Sequence, residues 1–339
     1  MTDKMCTISD TASAEDDRGC CFAAGTRILT ARGEVPVEDL RPGDLVPALL
    51  SRRLAPVRWI GRRRIDLLTH PRAWNVAPVR VAAGAFGPDQ PARDLLLSPE
   101  HAVLVENVLV PIRYLLNGVT VTQEVAPSVS YFHVELDAHD VLLAEGLPAE
   151  SYRDTGNRAV FENAPGPVML TADFASEALL EGGCAPVVVD GPVVVAAHAR
   201  LAARAEALGH IRTTDPALRV LAGEGELSAW IEDGRWQVDL PAGTDTVWLA
   251  SRSGMPAAFG LGGDGRRLGV ALAALDLDGV PPPETAFGSG WYDAEPGGWR
   301  WTDGSASLAT NGASRLCFTV VLTLPYWGNA PAVALPEAA

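Results

Sequence analysis

Cys20-Cys21-Phe22-Ala23-Ala24-Gly25-Thr26-Arg27-Ile28-Leu29-Thr30 sets two cysteines at the head of an alternating apolar run. That alternation is the period of a half-buried strand. Behind it come Ser98-Pro99-Glu100-His101 and His139-Asp140-Val141-Leu142-Leu143-Ala144-Glu145-Gly146. A thiol opening a strand, with a hydroxyl and an imidazole close together downstream, has the groups needed to attack its own backbone.

The attack would convert the amide before the cysteine into a thioester by an N-to-S acyl shift through a five-membered ring. The amide is the more stable species, so the fold must push the reaction. Three kinds of help are needed: thiolate character in a thiol whose ordinary pKa is about 8.5, a proton donor for the departing nitrogen, and hydrogen bonds to the developing oxyanion. Ser98 and His101 carry the chemistry for the last two. An imidazole titrates near neutrality and passes protons either way.

The rest of the 339-residue chain bounds the setting. A net charge of −15 argues against nucleic acid or an anionic membrane as partner. Arg52, Arg53, Arg58, Arg62, Arg63 and Arg64 form a local basic cluster that reads as a solvated strand edge. Five cysteines scattered along the chain do not form a disulfide framework. Met1 to Gly19 is acidic, reads as a flexible tail and lacks the apolar core of a signal peptide, and no run is long enough to span a bilayer. Cytoplasmic synthesis is the expectation, with signal-independent export left open.

Short β-type runs fill the chain from Thr26 to Ala144, among them Trp74 to Val81 and Val129 to Leu136, with Val110 to Leu116 expected as a short helix. Ala31 to Glu34 and Arg41-Pro42-Gly43-Asp44 read as turns, with Asp44 structural. A turn-rich boundary, Asn163-Ala164-Pro165-Gly166-Pro167, closes a first domain over 20–163. Beyond it, Pro192 to Leu208 has helical spacing, and evenly spaced strands predict a β-sandwich-like domain over 168–327, ahead of a fraying tail at 328–339. The fold class expected is all-β in both domains, with one helix in the second.

Taken together, Cys21-Phe22 with Gly25-Thr26, Leu40 to Asp44, Ser98 to His101 and His139 to Tyr152 resemble the Hint module of hedgehog autoprocessing domains and inteins, closest in look to bacterial Hint-domain proteins. The resemblance covers about Cys20 to Asn163. It implies Cys21 as nucleophile, Ser98 in place of the family's usual threonine, His101 as the family's histidine, and an assisting role for His139. Inteins close with His-Asn, whereas here Glu150-Ser151 occupy those positions, and neither residue can cyclise as asparagine does. The resemblance therefore implies single-turnover cleavage between Cys20 and Cys21 without splicing. The resolving nucleophile is water, a thiol or another group, and the sterol-recognition segment of hedgehog proteins has no counterpart.

Other readings compete. Cys20 is a rival nucleophile, and Cys21 alone would pass for a small buried hydrophobe. His133 reads as a surface or hydrogen-bonded strand residue, and Cys184 and Cys317 as core of the second domain. No second cysteine pair has ligand spacing, so neither a metal nor another cofactor is expected; Asp276-Leu277-Asp278-Gly279 is an incomplete calcium-type turn. In the second domain Trp291, Tyr292, Trp299 and Trp301 are the expected surface site, with a glycan as ligand class. The alternative function is an inactive Hint scaffold carrying a carbohydrate-binding or adhesion-type domain.

Overall fold

The computed structural model describes residues 20–154, 158, 161–164, 183–223, 225–262 and 264–328. The expected tail at 1–19, residues 329–339 of the second tail, Cys6 and most of the boundary at 156–167 lie outside the described residues. The chain divides into two compact units, Met1–Leu116 with Thr120–Ala197, and Asn117–Val119 with His198–Ala339. Among the described residues no helix is long and apolar enough to cross a membrane.

The first unit is built of short strands: β1 (Phe22–Ala23), β2 (Arg27–Thr30), β3 (Gly33–Pro36), β4 (Leu45–Ala48), β5 (Arg53–Pro56), β6 (Trp59–Asp66) and β7 (Val79–Val81). There follow β8 (Leu95–Leu97), β9 (Ala102–Val105), β10 (Val108–Pro111), β11 (Val121–Gln123), β12 (Ser128–Glu135), β13 (Val141–Ala144) and β14 (Leu147–Glu150). They form one sheet in the order β11-β7-β8-β1-β12-β6, a second in the order β10-β9-β14-β13-β2-β3, and the β4-β5 hairpin. β6, which carries Arg62 to Arg64, lies at the edge of the first sheet, where charge discourages further pairing. In the Arg41–Asp44 turn Gly43 sits at φ +94°, and the Asp44 carboxylate accepts the Arg41 N–H at 3.0 Å, which makes Asp44 structural.

Two local expectations change. Trp74 to Val81 is not one strand: a helical turn, Ala73–Val76, stops at Ala77, which is extended because Pro78 follows it, and only Val79–Val81 joins the sheet. The expected helix at Val110 to Leu116 is the end of β10 followed by a 3-10 turn, Ile112–Leu115. There the ladder pairs Val110 with Val103 and Pro111 with Ala102, so the backbone is already committed to a strand.

The second unit has a four-stranded sheet of Gly225–Leu227, Arg219–Ala222, Thr246–Ala250 and Ser305–Ala309. Beside it is a six-stranded sheet of Ala229–Glu232, Arg235–Asp239, Arg315–Leu322, Ala271–Leu277, Arg300–Thr302 and Trp291–Ala294. One core draws Val220, Val247, Leu249 and Leu308 from the first sheet and Val238, Leu272, Leu316 and Phe318 from the second. Two sheets burying their inner faces in one core make a sandwich. The expected helix runs Pro192–Ala207. The division between the units falls within it.

Candidate functional site

β1 runs between β8 and β12, with Phe22 paired to Leu97 on one side and to Phe132 on the other. One residue back along both ladders, Cys21 falls between Ser98 and His133. The backbone closes the first pairing, with the Ser98 N–H donating to the Cys21 carbonyl at 2.9 Å. The Cys21 N–H donates to Ser98 Oγ at 2.7 Å. On the other side, Cys21 Sγ lies 2.8 Å from His133 Nε2. One hydroxyl therefore touches the nitrogen of the Cys20–Cys21 bond, while an imidazole touches the thiol of the same residue.

His133 is not a surface residue. It is 1% exposed, on the inward face of β12 with Val129 and Tyr131, and its ring stands edge-on to Tyr152 and Phe161 at 4.8 and 4.6 Å. The same alternation that buries Val129 and Tyr131 buries the imidazole. Burial, with a smaller contribution from His101, drives its pKa well below the usual histidine value, so it is a neutral base. Burial pushes the Cys21 thiol up, although Arg63 and the Ser98 hydrogen bond pull the other way. The resting pair is a neutral thiol on a neutral imidazole. For the thiol to donate, the ring must carry its hydrogen on Nδ1, which has no hydrogen-bond partner among the described residues. Cys21, Arg63, Asn75, Ser98, Glu100 and Tyr131 help to line a small pocket.

Ser98 and His101 close a turn in which the His101 N–H donates to the Ser98 carbonyl at 3.0 Å. The His101 ring packs 4.2 Å from the Phe22 ring, against the backbone of Cys21 and Glu150, and neither of its nitrogens has an aligned partner among the described residues. Burial lowers its pKa despite the opposing pull of Glu150. Cys20 has no comparable base: its thiol faces the Glu100 carbonyl at 3.5 Å, and burial together with the Glu150 charge raises its pKa. The geometry thus separates the two adjacent thiols in favour of Cys21.

Glu150 is the second residue that sequence reasoning left without a positive role. Its Oε1 accepts the Ala102 N–H at 2.8 Å, and Oε2 lies 3.4 Å from His139 Nε2, at ion-pair distance though not aligned as a hydrogen bond. Burial works against its charge, but His139, His101 and the Ala102 N–H outweigh it and hold the carboxyl below its ordinary pKa. Burial likewise opposes a charged His139, yet the Cys184 side chain and Glu150 raise that ring to about 9. Ser151 is structural: its Oγ accepts the Asp140 N–H at 3.0 Å and its own N–H donates to the Asp140 carbonyl at 2.8 Å.

The His139 shift has a consequence for stability. A group whose pKa is raised by folding stabilises fully below its unfolded value of 6.5 and loses that contribution as pH climbs through about 9. His139→Gln should remove a fall in stability between those pH values. At about 1.4 kcal/mol per unit, the difference between the wild-type and variant curves reaches at most about 3 kcal/mol. Urea titrations at several pH values measure it, and parallel curves would exclude the ion pair.

The four aromatic residues of the second unit do not share one exposed face. Trp301 is only 7% exposed, packed with Leu268, Ala271, Leu324 and Tyr326. Its faces are covered, which corrects the expectation that it lies at the surface. Trp291 and Tyr292 are half-buried, with Trp291 Nε1 donating to the Ser307 carbonyl at 2.7 Å and the Tyr292 hydroxyl to the Arg267 carbonyl at 2.9 Å. Trp299 packs with Tyr292 on the Trp301 cluster. Asp276 and Asp278 serve a turn, accepting the Gly279 N–H at 2.9 Å and the Arg315 N–H at 2.8 Å. Among the described residues no group of three or more His, Cys, Asp or Glu side chains is placed to hold a metal ion.

Residues 20–156 match the family model of the Hint domain. No curated protein matches the chain. Similar solved structures include a bacterial intein-like domain from Clostridium thermocellum, 17% identical, covering 40% of this chain and 100% of that one with a TM-score of 0.31. A DnaB intein from Synechocystis sp. PCC 6803 is 10% identical over 40% of this chain and 100% of that one, TM-score 0.29. The MchDnaB-1 intein is 17% identical over 38% of this chain and 98% of that one, TM-score 0.28.

Proposed function

Since residues 20–156 of this chain belong to the Hint domain family, we propose that the first unit cuts its own backbone between Cys20 and Cys21 through a thioester, once per molecule and without splicing. The observation that carries this reading is the convergence on Cys21: Ser98 Oγ at 2.7 Å from its nitrogen and His133 Nε2 at 2.8 Å from its sulfur.

In this reading His133 takes the thiol proton and Sγ attacks the Cys20 carbonyl carbon. Ser98 holds the amide nitrogen and, as that nitrogen pyramidalises, turns from acceptor to donor; the proton that His133 took from the thiol balances the one the nitrogen gains, and neutral His101, packed against the Cys21 backbone, relays it. Collapse of the tetrahedral species breaks the C–N bond and leaves the acyl group of Cys20 on Cys21 Sγ. Glu150 and Ser151 offer no amide to cyclise, so the chain downstream of the cut stays whole.

Intact mass of the full-length protein with and without dithiothreitol tests the reading. Loss of Met1 to Cys20 is expected, accelerated by the thiol and abolished in Cys21→Ala. His101→Ala should slow release by about a hundredfold, the usual worth of a positioned proton donor. Cleavage that persists in Cys21→Ala would overturn the assignment.

A further inference from the structure

The chain returns to the first unit after the matched domain. Leu109 of β10, fully buried, donates its N–H to the Pro186 carbonyl at 2.8 Å and accepts the Val188 N–H at 2.9 Å, pairing in parallel with Val187. This added strand brings in Cys184, which packs with Ala185 and Val187 against Ala102, Leu109 and Val141. The cysteine that sequence reasoning assigned to the second domain belongs to the first unit. Its backbone N–H meets His139 Nδ1 at 3.1 Å, which turns the other nitrogen of that ring toward Glu150.

The carboxylate that His139 faces reaches toward the cut. Glu150 is buried, and its Oε1 accepts the N–H of Ala102, the residue after His101. The Cys20 thiol donates to the carbonyl of Glu100, the residue before His101, at 3.5 Å. His101 is thus bracketed, with its upstream neighbour held by the residue that ends at the cut and its downstream neighbour held by Glu150. These two clamps also meet each other, since the Cys20 and Glu150 side chains interact directly. Burial and the Glu150 charge keep the Cys20 thiol protonated, so in this contact it is a donor and not a nucleophile. The cleavage chemistry above uses neither side chain.

We propose that Glu150 is a positioning residue: by holding the Cys20 side chain it orients the carbonyl that Cys21 attacks, and it selects a small hydrogen-bond donor as the side chain before the cut. This rests on the cleavage reading above. The scissile peptide then has two anchors. Ser98 Oγ holds its nitrogen at 2.7 Å, while the Glu100 carbonyl and Glu150 hold the residue that carries its carbonyl. With both ends fixed the peptide plane stays within reach of Cys21 Sγ, and a misplacement of about 1 Å at a reacting centre costs up to about a hundredfold in rate. A thiol or a hydroxyl supplies the buried carboxylate with a donor. An alanine leaves it one donor short, which a buried charge tolerates poorly. Glu150 itself forms no bond and passes no proton.

The test follows release of Met1 to Cys20 from full-length protein in dithiothreitol, timed by intact mass. Cys20→Ala and Glu150→Gln should each slow release by about tenfold, and Cys20→Ser should restore most of the rate. The double variant, Cys20→Ala with Glu150→Gln, should be about as slow as the slower single one, because both changes remove the same contact. If the two losses instead multiply to about a hundredfold, the side chains act separately and the proposal is overturned. Release from Cys20→Ala at the wild-type rate also overturns it, while cleavage stands. If the wild type releases nothing, cleavage and positioning fall together. Cys20 precedes every described strand, so its alanine and serine variants decide the matter even if Glu150→Gln fails to fold.

Discussion

His133→Gln is expected to slow release of Met1 to Cys20 by about a hundredfold and to change how the rate depends on pH, the scale of a positioned general base. In the wild type the thiol is held protonated and His133 neutral, because burial moves both pKa values away from neutrality in opposite directions. The base is thus in its working form at every pH above the ordinary histidine value of 6.5. The rate should be flat from there to about pH 8.5. Without the imidazole only free thiolate can attack, and its fraction climbs about tenfold per pH unit below a raised pKa. A variant profile as flat as the wild type's would show that some other group takes the proton. Circular dichroism separates this effect from loss of fold.

Phe22→Ala should cost the first unit about 3–5 kcal/mol, the usual range for removing a large buried aromatic side chain. Phe22 is 1% exposed, at the centre of a six-stranded sheet, and it is the ring against which His101 rests. The truncation leaves a cavity beneath β1 and removes the surface that holds the imidazole near the Cys21 backbone. Denaturant titration measures the stability. Where the protein still folds, release of the upstream segment should fall more than in conservative Phe22→Leu. A loss below 1 kcal/mol would mean that the strand relaxes to fill the space.

The distance from sequence to site varies by residue. Cys21, Ser98 and His101 were legible because one strand start and one tight turn carry them, and local sequence encodes both. His133 was legible in principle: residues 129, 131 and 133 share a face under strict alternation, and two of them are apolar. What the sequence could not supply was the ladder register that sets Cys21 across from His133, because it depends on a pairing between strands about 110 residues apart. Glu150 was read for a reaction it cannot perform, and its use as a buried partner of His139 emerges only when β14 packs beside β9. Cys184 was misassigned because composition shifts near residue 163, while the parallel pairing that returns the chain to Leu109 leaves no local mark. In the second unit the sandwich followed from strand spacing. Which tryptophan faces outward did not, since large aromatic residues suit a core and a binding face equally.

β1 begins at Phe22 and is paired on both edges to strands that follow it in the chain. A cut one bond before Cys21 therefore severs none of the described ladders and leaves every group that performed it in place. The backbone amides of β1, β8 and β12 should be equally protected from hydrogen exchange in precursor and product. A cell that needed to distinguish the spent molecule from the unspent one would have to recognise the new α-amine at Cys21, because the body of the domain carries no record of the event.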